Sequence, residues 1–218
     1  MTDPAFQYSA LYAAYAAGTL DPGYALLVET QGALRDDVRQ SVAVSEAAAG
    51  ILLEAEEAAP MSEGALDRVF AAIDAGAAKA PQPASVDMPE INEIERLPEP
   101  VVKLARDAYR RGGWKRPSRG ISRLNLNIGS DARVELYRIQ PGATVPRHTH
   151  GAQEFTLVLA GGYSDATGSY GPGDLAVKGP EDTHLPVGDE GEVCYALIIH
   201  GGLRLTGAMG IVQRLMGR

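Results

Sequence analysis

Between Gly142 and Gly161 the chain reads GATVPRHTHGAQEFTLVLAG. His148 and His150 stand two residues apart, and Glu154 follows four residues after the second. Residues i and i+2 of a strand point to one face. Pro146 and Gly151 break the chain on either side, which confines the two imidazoles to a short extended segment. Glu154 keeps their parity where the chain re-enters a strand, Phe155–Leu159, that Gly161 and Gly162 end. Thirty residues after Glu154, His184 closes the run YGPGDLAVKGPEDTH, which reads as turn, strand, turn, strand. Three neutral imidazoles and one carboxylate are a donor set for a borderline divalent metal, with bonds of roughly 2.0–2.2 Å to zinc. His148, His150, Glu154 and His184 are therefore the candidate ligands, for zinc first and for iron, manganese or nickel as alternatives.

The surrounding pattern fits a barrel that aims side chains inward. From Gly120 onward, runs of four to seven residues are separated by Gly, Pro and Asp. Strands are expected near Ser122–Ile128, Val134–Ile139, Glu154–Leu159, Gly162–Asp165, Asp174–Val177, His184–Val187, Val193–Ile199 and Leu203–Thr206. About eight antiparallel strands at this spacing indicate a jelly roll. Residues 98–111 precede it as a helix, opened by prolines and stopped by Gly112 and Gly113.

The N-terminal third is different. It is rich in alanine and carries helical periodicity. Four helices are expected: Tyr8–Ala17 stopped by Gly18, a second opened by Asp21 and Pro22 as N-cap and first helical residue, a third over Arg39–Glu57, and a fourth over Glu63–Ala78. Leu66, Val69, Phe70 and Ile73 form the apolar stripe of the fourth. The fold class is thus α + β: a small helical domain, 1–80, a linker, 81–97, and a jelly-roll domain with its leading helix, 98–218. Residues 1–80 hold four Lys/Arg against twelve Asp/Glu, whereas 81–218 hold sixteen of each. The acidic end repels nucleic acid and suits a basic protein partner. The 45% hydrophobic and 22% charged residues are those of a soluble globular chain. No apolar run approaches the ~18 residues of a membrane span. The start of the chain lacks a basic leader, and one cysteine, Cys194, excludes an internal disulfide. These features point to the cytoplasm. Cys194 lies in an apolar strand and reads as a buried thiol. His200, beside Gly201 and Gly202, reads as a loop residue. Trp114 reads as packing between helix and barrel.

Gly142, His148, His150, Glu154 and Gly161 fall at G-x5-H-x-H-x3-E-x6-G. This resembles the first motif of the cupin superfamily. Gly173, Pro180 and His184 resemble the second, with Asp182 where a glycine is common and the Pro-to-His spacing one residue short. With AYAAGTL at Ala14–Leu20 and LYRIQPGATVPRHTHGAQEFTLVLAGGYSDATGSYGPGD at Leu136–Asp174, nearly the whole chain resembles the ChrR-type anti-sigma factors. The resemblance implies a helical domain that sequesters an extracytoplasmic-function sigma factor, and a cupin needed to respond to singlet oxygen or related oxidants. It also implies zinc in both domains. The first zinc motif, H-x3-C-x2-C, is replaced here by Gln31, Arg35 and Val38, and no histidine precedes His148. These three positions are either a solvated helix face, a hydrogen-bonded substitute for the metal, or contacts to the partner.

Two functions from different classes fit the pattern. One is a regulator in which the cupin senses a signal and the acidic helices hold a sigma factor, with no direct contact to nucleic acid or membrane. The other is a metal-dependent cupin enzyme of dioxygenase or isomerase type carrying a vestigial helical domain. The attached acidic helices favour the regulator.

Overall fold

The computed structural model describes residues 8–76, 89–149 and 151–200. His150, the strand expected at Leu203–Thr206 and residues 81–88 of the expected linker lie outside them. Helices α1 (Ser9–Ala16), α2 (Pro22–Leu34), α3 (Asp36–Glu54) and α4 (Ala65–Gly76) come first. Helices α5 (Pro89–Ile94) and α6 (Glu99–Gly112) lead into eleven strands.

The helix ends follow from local chemistry. At the end of α1, Gly18 adopts φ 64°, its N–H bonds Tyr15 O, and the N–H of Thr19 bonds Ala14 O. This is the double bond of a Schellman stop, and it accounts for the AGT of the sequence. Asp21 caps α2 by accepting the Gly23 N–H at 2.8 Å. The same carboxylate accepts the Asp131 N–H at 2.9 Å and the Ser130 hydroxyl, so the cap also ties α2 to a barrel loop. In the stretch read as linker, Ile91, Ile94 and Leu97 recur at helical spacing and all three are buried. Residues 89–97 therefore form α5 and a turn packed on the protein rather than a free tether.

The large sheet has the order β1-β2-β3-β11-β5-β8, all antiparallel. Its strands are Lys115–Ser118, Ile121–Asn125, Arg133–Ile139, Cys194–His200, Glu154–Ala160 and Leu175–Lys178 in that order. A three-stranded sheet, β10-β6-β7, combines Val187–Gly188, Tyr163–Asp165 and Gly168–Tyr170. A two-stranded ladder joins β4 (His148–Thr149) to β9 (Thr183–His184).

The alternation of the central strands decides what lies where. Phe155, Leu157, Leu159, Tyr195, Leu197 and Ile199 face the helices and share one core with Leu11, Tyr24, Leu27 and Val101. The Tyr24 and Phe155 rings meet edge to face at 5.2 Å. Helices α1 and α2 thus share a core with the barrel, although they belong to the acidic N-terminal third. The other face of the same strands carries Val158, Ala176 and Cys194, which pack with Tyr163 of the small sheet. Glu154, Lys178, Glu135 and His200 stand at one end of that inner face.

Helices α3 and α4 do not follow this pattern. Only Val38 of α3 is buried, and Val44, Ile51, Leu52 and Leu53 are 69–75% exposed. On α4, Leu66, Val69, Phe70 and Ile73 are 52–60% exposed.

Candidate metal site and relatives

The register of the β4–β9 ladder places His148 directly opposite His184. Their rings lie 4.6 Å apart between centroids. Glu154 opens β5, and its ligating oxygen lies within 4.8 Å of a nitrogen on each histidine. The structure thus brings together His148, Glu154 and His184 of the four expected ligands. The Asp182 that departs from the motif closes the turn before His184 by accepting the Gly179 N–H at 2.7 Å. These groups border a cavity of about 640 Å3 whose other walls include Ile121, Tyr137, Ile139, Val145 and Ile198.

Hydrogen bonding fixes what the two imidazoles present. His148 Nδ1 lies 2.8 Å from the Pro146 carbonyl, and His184 Nδ1 lies 3.0 Å from Asp165 Oδ2. Each partner is an acceptor, so each Nδ1 carries a proton. The two Nε2 atoms are thereby the free faces of the rings toward each other, 3.1 Å apart, and in the neutral rings a metal requires both would carry lone pairs. Nitrogen donors on a tetrahedral zinc at 2.0–2.1 Å stand roughly 3.3 Å apart. The donor set and its spacing fit a divalent metal.

Around these donors the charges are compensated. The Asp165 side chain is fully buried against those of Lys178 and His184, which are 7% and 5% exposed. Burial alone would raise its pKa, but hydrogen bonds from Thr167 and His184 and the charge of Lys178 bring it down to about 2. His200 is not a loop residue. It ends β11 directly opposite Glu154, with Nδ1 2.8 Å from Glu154 Oε2 and Nε2 3.5 Å from Glu135 Oε2. Burial opposes its charge, yet the two carboxylates outweigh that and push its pKa up to about 9. The alternation Cys194, Ala196, Ile198, His200 was the available signal that His200 faces inward. Cys194 is fully buried, and its thiol is pushed up to about 12 by burial and then by Asp189. Trp114 packs near Tyr195, with ring centroids 6.4 Å apart, between helix and barrel as expected.

At the position of the missing zinc motif, Gln31 and Val38 are 4% and 3% exposed. They are turned into the protein rather than solvated. The Tyr12 hydroxyl donates to Gln31 Oε1 at 3.2 Å, and Gln31 Nε2 donates to the Gly173 carbonyl at 3.2 Å. Arg35 pairs with Asp37 at 2.8 Å and with Asp174 at 3.2 Å. Gly173 has φ 86°, and a Cβ there would lie 2.6 Å from Arg35 Cγ. The three positions therefore form an internal clasp between α2, α3 and the β7–β8 turn.

Residues 108–204 match the family model described as the ChrR cupin-like domain. The anti-sigma-E factor ChrR of Cereibacter sphaeroides is 34% identical over 188 residues, 86% of this chain and 85% of its own length. The chain belongs to the ChrR family. The crystal structure of Rhodobacter sphaeroides SigE in complex with the anti-sigma ChrR superimposes with a TM-score of 0.67 at 31% identity. That match covers 88% of this chain and 96% of the ChrR-complex chain. The ChrR likeness thus spans helices and barrel together. Among the described residues, no helix is long and apolar enough to cross a membrane.

Proposed function

We propose that this chain is an anti-sigma factor, in which the helical third holds an extracytoplasmic-function sigma factor and the cupin carries a divalent metal that conditions the hold. One observation carries the reading. Helices α3 and α4 present Ile51, Leu52, Leu53, Leu66, Phe70 and Ile73 to solvent, each more than half exposed. Free helices of this length do not keep such stripes bare without a partner to cover them. The acidic balance of residues 1–80 matches a basic partner, and a helix-in-groove contact uses anchors at this i, i+3, i+4, i+7 spacing. The ChrR relative is named for this activity, and the similar structure was solved with its sigma factor.

His148, His150, Glu154 and His184 would hold the metal, zinc first, as Lewis-acidic centre and as a clasp between β4, β9 and β5. The residues around it do the rest. Pro146 and Asp165 accept from Nδ1, which leaves Nε2 of each ring as the atom that would meet a metal. Apolar side chains such as Ile121, Ile139, Val145 and Ile198 line part of the cavity beside the donors. Cys194 is protonated and buried, which makes this thiol a poor target for an oxidant signal.

The test is co-purification of the full chain with an extracytoplasmic-function sigma factor of its own genome, together with transcription in vitro. Leu53→Glu and Phe70→Glu lie at 75% and 57% exposure, so their folding cost should stay within about 0.5 kcal/mol. Each should weaken the complex by at least about 30-fold, the loss of one interface hot spot. A folded wild-type chain that neither binds the sigma factor nor inhibits transcription would sink the proposal.

A further inference from the structure

The donors of the metal site are backed by side chains that no ligand motif includes. Asp165 lies in β6, on the small sheet, yet its carboxylate reaches three groups. The Thr167 N–H donates to Oδ1 at 2.8 Å, and the Thr167 hydroxyl donates to the same oxygen. Oδ2 faces His184 Nδ1 at 3.0 Å and Lys178 Nζ at 3.4 Å. Lys178 comes from β8 of the large sheet and also donates to the Thr167 hydroxyl. The carboxylate is thus held on one oxygen by Thr167, balanced in charge by Lys178, and turned with the other oxygen to the imidazole. On the opposite side, His200 Nδ1 lies 2.8 Å from Glu154 Oε2, and the Thr156 hydroxyl donates to Oε1 at 3.3 Å. Glu135, itself ion-paired with Arg123 at 3.1 Å, stands behind His200.

We propose that Asp165 and His200 are the positioning residues of this metal site: Asp165 sets the tautomer and ring angle of His184, and His200 sets the carboxylate angle of Glu154. The inference rests on the metal reading above. A carboxylate behind a ligating histidine fixes the ring and raises its basicity, and such outer partners are worth 10–100-fold in metal affinity. A plain buried ion pair between Asp165 and Lys178 would explain their burial. It does not explain why Oδ2 lies nearer to His184 than to Lys178, nor why the register puts a histidine against each face of the donor set.

The test uses the full chain and zinc itself. Asp165→Asn keeps the shape and loses the charge; His200→Gln, at the end of a strand with the side chain 34% exposed, keeps a hydrogen-bond donor and loses the charge. Zinc affinity is measured by chelator competition, and melting is recorded with and without zinc. Each variant should bind zinc 10–100-fold more weakly. The zinc-free melting temperature should fall in both variants, since each leaves a buried charge without its partner, and the increment added by zinc should shrink as well. Cobalt in place of zinc should give weaker, shifted ligand-field bands in both variants. Melting that falls equally with and without zinc, or affinity unchanged in both variants, overturns the positioning role. Should Asp165→Asn fail to fold, His200→Gln decides alone. A wild-type chain that takes up no zinc overturns instead the metal reading beneath it.

Discussion

Zinc carried through purification is expected to fall from about one ion per chain to nearly none in His184→Ala, as a tetrahedral centre loses one of its few protein donors. His184 faces His148 across a two-residue ladder, with the two Nε2 atoms 3.1 Å apart. Removing either ring leaves one facing imidazole with His150 and Glu154, one donor short of the four-ligand set. The same loss is expected for His148→Ala. His150→Ala tests the remaining ligand of the motif. Metal bound only by the native state stabilises it in proportion to the logarithm of its concentration over Kd. Wild type should therefore melt higher with added zinc, and His184→Ala should not respond. Elemental analysis and a zinc-dependent melting series check both halves. Full zinc occupancy in His184→Ala would remove this residue from the site.

Much of the barrel was legible because period-two patterning and turn residues survive in short strands. The first helix stop and the Asp21 cap were legible for the same local reason: Gly18 supplies a left-handed φ, and a short acid beside Pro22 satisfies a free N–H. What escaped was tertiary. His200 looked like the start of a glycine loop, because its role depends on a register that only pairing with β5 and β3 creates. Asp165 is one acid in a polar turn until the fold sets it behind His184. Gln31 read either as part of a solvated helix face or as a hydrogen-bonded substitute for a ligand, since periodicity does not say which protein surface a helix face meets. A signal for that meeting was nevertheless present. The strand CYALIIH is apolar on both faces up to its last residue, and EFTLVLA is so from Leu157 onward, which is the mark of a sheet covered on both sides. One cover is the barrel interior. The other had to be helices, and α2 is the one whose Tyr24 reaches Phe155.

The second large effect expected is coupling between these two regions during unfolding. Leu27 of α2 is fully buried and belongs to the same core as Leu157, Leu197 and Ile199 of the sheet. Leu27→Ala should cost about 2–5 kcal/mol, the range for emptying a buried leucine site. In a chain of this size that lowers the melting temperature by roughly 5–15 °C. The loss should appear in both regions at once. Trp114, which packs near Tyr195 at the other end of the core, reports on the barrel by fluorescence, and far-ultraviolet dichroism reports chiefly on the helices. If the clasp of Gln31 on Gly173 and of Arg35 on Asp174 joins helices and barrel into one cooperative unit, both probes shift together. Two separable transitions, with the tryptophan signal unmoved by a change in α2, would show that the regions unfold independently. Coincident transitions also set a condition on sigma-factor release. A signal at the metal would then reach the exposed stripes of α3 and α4 through a packed core and a polar clasp rather than across a free linker.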